Sequence, residues 1–118
     1  MSPIRHARGI PLEEVGAGNG TRRQVLTAPG SGSGFHMRRF LMEPGGGMPR
    51  HTNQVEHQQY VLRGTARIGI RDEVHEVKAG HVIHIPAGAP HWYEAGPGEP
   101  FEFLCVVPDD DDEIRILE

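Results

Sequence analysis

The chain has a single cysteine, Cys105, among its 118 residues, so no internal disulfide can form, which is compatible with a reducing compartment. No apolar run approaches the roughly 20 residues that span a bilayer, and Met1-Ser-Pro-Ile-Arg-His-Ala-Arg8 lacks the apolar core of an export signal. Both absences predict a cytoplasmic protein that does not meet a membrane. There is no basic stripe either: the net charge is −4 and the pI is near 6.0. The one concentrated charge run, Asp109-Asp-Asp-Asp112, is acidic, so a nucleic-acid backbone would be repelled. No window carries a long 3.6-residue apolar period, which leaves almost no helix. No Ser-His-Asp or Cys-His arrangement stands at motif spacing, which argues against a hydrolase.

What is abundant is punctuation. Sixteen glycines and ten prolines cut the chain into short apolar segments, and such a pattern predicts an all-β fold of about eight to ten short strands. Strands fall near 22–27, 35–43, 57–63, 65–71, 73–78, 82–85, 91–94 and 100–107. Gly30-Ser-Gly-Ser-Gly34 and Pro44-Gly-Gly-Gly47 read as loops, and Arg71-Asp-Glu73, Lys78-Ala-Gly80 and Ala95-Gly-Pro-Gly98 as turns. Spacing this regular reads as a sandwich or barrel. The length suits one domain: a barrel over 22–108, an N-terminal arm over 1–21 and an acidic tail over 109–118. Ile10-Pro-Leu-Glu-Glu-Val15 and Glu113-Ile-Arg-Ile-Leu-Glu118 are each candidates to add an edge strand, to this barrel or to a partner subunit, or to fray.

The chemistry concentrates in two segments. In His51-Thr-Asn53-Gln-Val-Glu-His57 the outer histidines and Asn53 share one parity, so on a single extended strand all three side chains face the same way. A buried polar group without a partner costs roughly 1–3 kcal/mol, whereas one divalent cation satisfies several such groups at once. The segment alone also reads as surface histidines on an edge strand. The second segment, Gly80-x5-Pro86-x-Gly88-x2-His91, supplies a third imidazole that closes a metal set.

These residues resemble the two motifs of the cupin superfamily. The first is matched by Gly45-x5-His51-x-Asn53-x3-His57-x6-Gly64, with Tyr60-Val-Leu-Arg-Gly64 similar to its usual strand end. The second is matched by Gly80, Pro86, Gly88 and His91, with Ala95 replacing an asparagine. The resemblance covers roughly residues 20–108 and implies a double-stranded β-helix, the jelly-roll barrel of RmlC-like proteins. It assigns metal-ligand roles to His51, His57 and His91. His57 stands where most cupins have Glu or Gln, which makes the site similar to small single-domain cupins with an all-histidine manganese or iron centre. Asn53 stands where those proteins keep a histidine, and three roles are open to it: ligand, hydrogen-bond partner of a metal-bound water, or bystander.

Further expectations follow from the resemblance. The cofactor is one divalent transition metal per subunit, among Mn, Fe, Cu, Ni and Zn, since imidazole suits them all. Arg38, Phe40, Tyr60, Trp92, Phe101, Phe103 and Cys105 come from segments that line the barrel in cupins, so they are the pocket candidates. Arg38 reads either as a carboxylate binder or as a solvated outer-face arginine, and Cys105 as a buried inert thiol. His84 is expected in the core, Glu56 and His6, His36, His75 and His81 in solvent. Terminal strands suggest a homodimer acting on a small molecule. Function divides between a metal-dependent, dioxygenase-type oxidoreductase and a non-catalytic metal- or ligand-binding module, with Lewis-acid lyase or isomerase chemistry a further option.

Overall fold

The structure, a computed structural model, describes residues 3–30 and 32–117; Met1, Ser2, Ser31 and Glu118 lie outside them, and Ser31 belongs to the expected 30–34 loop. Ten strands are present among the described residues: β1 Glu13–Glu14, β2 Asn19–Val25, β3 Phe35–Thr52, β4 His57–Arg63, β5 Thr65–Ile70, β6 Glu73–Lys78, β7 Val82–Ile85, β8 His91–Ala95, β9 Phe101–Pro108 and β10 Arg115–Ile116. The only helical element among these residues is a 3-10 turn over Ala7–Gly9. Among the described residues no helix is long and apolar enough to cross a membrane.

Every pairing is antiparallel, and the path β6-β5-β8-β3-β9-β4-β7 curls into a jelly-roll barrel. The long β3 makes the closure. Its first half, from Phe35 to Met42, pairs with β9 and β2, while Gly47, Met48 and His51 pair with β8. Pro44-Gly-Gly-Gly47, expected as a loop, is therefore carried inside one strand. The register shows what happens there: Asn19 opposes Gly47 and Thr21 opposes Met42, so four residues of β3 stand against Gly20 alone. Pro44 has no N–H to give the ladder, and Gly45, at φ +79°, bends the chain.

The interior follows from period-two alternation. On β4, His57, Gln59 and Val61 are buried while Gln58, Tyr60 and Leu62 are exposed. On β8, His91, Tyr93 and Ala95 face in, and on β9 Phe101, Phe103, Cys105 and Val107 do so. These join Met42, Ile68 and Ile85 in the core, each large apolar side chain contributing about 1.5–3 kcal/mol. Glu102, the one buried acid of β9, meets Arg39 at 2.8 Å and Arg63 at 3.4 Å. The ends of the chain pair with their own barrel: β1 with β2, and β10 with β3 through Arg115 opposite Thr52 and Ile116 opposite His51.

Gly47 marks the tightest crossing. A Cβ built there would overlap the carbonyl oxygen of Tyr93 on β8, an atom that cannot move without breaking the ladder. Gly47→Ala is expected to lower stability by roughly 3 kcal/mol. Gly34→Ala, where a Cβ meets nothing within 4 Å, should stay within about 0.5 kcal/mol of the parent. Urea unfolding of the two variants checks this, and equal midpoints would refute the close β3–β8 approach.

Candidate metal centre

His51, near the end of β3, stands directly across from His91, the first residue of β8. Their ring centroids are 4.1 Å apart. His57 is not on the same strand as His51, contrary to the single-strand expectation. The chain leaves β3 after Thr52, turns through 53–56 and re-enters with His57 as the first residue of β4, opposite Ile85. The His57 ring lies 5.7 Å from that of His91 and nearly perpendicular to it, at 79°. All three imidazoles are buried.

The turn between them is held from two distant places. The N–H of Gly88 donates to the carbonyl of Asn53 at 2.9 Å. The carboxylate of Asp112 accepts the Asn53 side-chain amide at 2.9 Å and the Gln54 N–H at 2.7 Å. β10, laid against β3, follows Asp112 within three residues. Asn53 is thus tied by its NH2 group to the acidic tail, while its Oδ1 is buried with no hydrogen-bond partner.

The electrostatics of the three histidines fit neutral ligands. His51 Nδ1 meets the carbonyl of Pro49 at 2.7 Å and His91 Nδ1 that of Ala89 at 2.9 Å. A carbonyl only accepts, so both Nδ1 atoms carry the proton and both Nε2 atoms carry the lone pair. His91 Nε2 and both nitrogens of His57 are buried without partners. Burial pushes the His57 pKa down to about 3, helped by the positive charge of Arg38. Burial likewise lowers His91 to about 4, with His51 adding to it, and lowers His51 despite its bond to Pro49. Metal binding requires that neutral form.

Among the described residues no group of three or more His, Cys, Asp or Glu side chains stands ready to hold a metal ion. The residues nevertheless suit one by their chemistry. Three buried imidazoles converge, and His57 and His91 carry orphaned nitrogens, a costly arrangement without a cation. Neither ring nitrogen of His57 has a hydrogen-bond partner, so no such bond fixes its ring where it stands.

The histidines line one cavity of about 320 Å³, at the small end of ligand sites, which run roughly 300–1,000 Å³. Of the pocket candidates, Arg38, Phe40 and Phe103 line it. Cys105 lies fully buried just behind, its sulfur 3.4 Å from Arg38 Nη2. Phe101 packs against Phe103. Tyr60 and Trp92 are corrections: both have outward parity. Tyr60 is 48% exposed, and Trp92 covers Gly69 on the outer face, with the Arg67 guanidinium over its ring at 6.0 Å. His84 is also outside, 3.5 Å from Glu56. His36 is half-buried, 3.9 Å from Asp109, rather than in solvent.

Several cavity residues went unread in the sequence, Gln59, Tyr93 and Arg23 among them. Gln59 and Tyr93 each follow a site histidine by two residues, so alternation could have found them. Gln59 Nε2 donates to the Tyr93 hydroxyl at 2.7 Å. Burial, more than the neighbouring Cys105, raises the Tyr93 pKa and keeps the phenol neutral. Phe40, Phe103 and Tyr93 stack in sequence, with centroids 5.1 and 5.3 Å apart and planes within 11°. Asp112 also lines the cavity, and no local pattern links it to residues more than fifty positions away.

The depressed histidine values fix a pH dependence. The unfolded chain takes up protons as pH falls below 6.5, whereas the folded one resists until pH 4 to 3, so stability is lost across that interval. Chelator-treated protein should show a melting temperature flat above pH 6.5 and falling steadily below it, a fall that His57→Leu makes shallower. An unchanged profile in His57→Leu would mean that this imidazole is not buried neutral.

No curated protein matches this sequence. Residues 38–107 match the family model for the cupin domain, Cupin_2. Among solved structures, the polyketide cyclase RemF from Streptomyces resistomycificus is 30% identical at a TM-score of 0.89, over 100% of this chain and 87% of its own. The Rru_A2000 cupin-2 domain from Rhodospirillum rubrum is 27% identical at 0.84, over 99% and 80%. A cupin-2 domain protein from Halorhodospira halophila is 30% identical at 0.77, over 84% and 71%. With the family model spanning more than half of its length and closing on the same β3–β9 barrel, the chain belongs to the cupin family as a small single-domain member.

Proposed function

We propose that this cupin is a metal-dependent enzyme that acts on a small planar molecule bearing carbonyl groups, through Lewis-acid chemistry of the cyclase, lyase or isomerase kind. The observation that carries the reading is the convergence of three neutral, buried imidazoles on one aromatic-walled cavity, with orphaned nitrogens on His57 and His91. The likeness to a polyketide cyclase along the whole chain supports it. His51, His57 and His91 would hold one divalent transition metal, which when bound supplies polarisation of a substrate oxygen. Asn53 would serve as a neighbour of that ion through its free Oδ1 rather than its NH2.

The remaining work falls to the chain's own groups. The Phe40–Phe103–Tyr93 stack offers a flat wall for a planar ring. Tyr93, accepting from Gln59, keeps its own O–H free to donate to a substrate oxygen.

A dioxygenase-type oxidation is the second reading, because a donor set of three neutral imidazoles also suits iron, manganese and copper. Elemental analysis of protein purified without an affinity tag or added metal should give near one equivalent of a divalent transition metal per chain, lost in the His57→Ala/His91→Ala variant. Turnover of carbonyl-rich aromatic substrates should then be equal with and without air. Oxygen uptake coupled to turnover would move the assignment to the oxygenase, and a folded protein that carries no metal would end both readings.

A further inference from the structure

The cavity also carries two arginines. Arg23 on β2 opposes Phe40 in register, and Arg38 opposes Val25 two residues away, so the two arginines are diagonal neighbours across β2 and β3. Both line the same cavity as the histidines. The Arg38 guanidinium lies over the Phe40 ring at 5.1 Å, at the start of the aromatic stack. In each arginine Nε is buried without a hydrogen-bond partner.

Partial burial without an ion pair sets them apart, since the other arginines that form none are all exposed. Arg22, Arg39, Arg63 and Arg67 each meet a glutamate, whereas among the described residues neither Arg23 nor Arg38 forms an ion pair. The cavity's two acids do not supply one. Glu14 is exposed, and Asp112 already accepts from Asn53 and from the Gln54 N–H. A partly buried guanidinium without a counter-charge is costly, and its planar fork matches a planar oxyanion.

We infer that Arg38 and Arg23 form an anion-binding subsite in the histidine cavity, so that the molecule this cavity takes is an aromatic or similarly planar carboxylate. Its carboxylate sits on the arginines, its ring lies along the Phe40–Phe103–Tyr93 stack, and its far end reaches His51, His57 and His91. The orientation of that far end rests on the proposed function; the subsite itself does not.

Calorimetric titration with naphthoate and with the neutral isostere naphthamide tests this, on full-length protein as purified and again after chelator treatment, so that binding of the carboxylate to a metal is not mistaken for the subsite. The acid should bind about tenfold to a hundredfold more tightly than the amide in both preparations. Arg38→Gln should erase the preference, Arg23→Gln should reduce it, and Arg38→Lys, which keeps the charge but not the fork, should retain part. Circular dichroism confirms that each variant is folded; should Arg38→Gln fail to fold, the wild-type and Arg38→Lys titrations decide. Equal affinity for acid and amide, a preference that survives Arg38→Gln, or no naphthoate binding in the millimolar range overturns the inference. The His57→Ala/His91→Ala variant should keep the preference, so a failure of the metal reading leaves this one standing, and the reverse also holds.

Discussion

The fold depends on one strand serving two halves of a barrel. β3 gives its first half to β9 and β2 and its second to β8 and β10, and the change happens where Gly45 bends the backbone and Gly47 lets it touch Tyr93. A residue with a side chain at Gly47 would hold β3 and β8 apart. Because His51 and His91 are cross-strand partners on those two strands, the same close approach that shuts the barrel also brings the first two imidazoles together.

The site is placed against the hydrophobic effect rather than by it. Three imidazoles, a glutamine amide and two arginines occupy a wall that could have held apolar side chains, and several of their polar atoms find no partner in the protein. Burial keeps the histidines neutral, and the positive charge of Arg38 works in the same direction on His57. The cavity therefore combines lone pairs on the histidines, guanidinium donors on Arg23 and Arg38, and a row of stacked rings in one lining.

Much of this was legible in the chain because local periodicity carries far in an all-β protein. The strands over 57–63, 73–78 and 82–85 fall where the alternation and the turn residues put them. Parity failed where it was carried across a break. His51, Asn53 and His57 look like one face of one strand, yet the strand ends at Thr52 and the turn resets the alternation; the two histidines meet because two separate strands each turn their own inward side to the cavity. Tyr60 and Trp92 were placed with the pocket by family likeness, while each sits one residue from a buried position and so points outward. Gln59 and Tyr93 carried the right parity and simply lacked a motif to draw attention to them.

The sequence by itself determined most of the strand segments, the inward parity within each strand, and the three histidines that the structure brings to one cavity. Only the tertiary structure decided that His51 faces His91, that Asp112 returns from the acidic tail to hold the Asn53 turn, and that Arg23 and Arg38 share a cavity with the histidines while neither forms an ion pair among the described residues. The physical reason is range. Alternation and turn chemistry act over a few residues and are written in local order. Cross-strand neighbours and the charge balance of a cavity are instead set by which distant strands close the barrel.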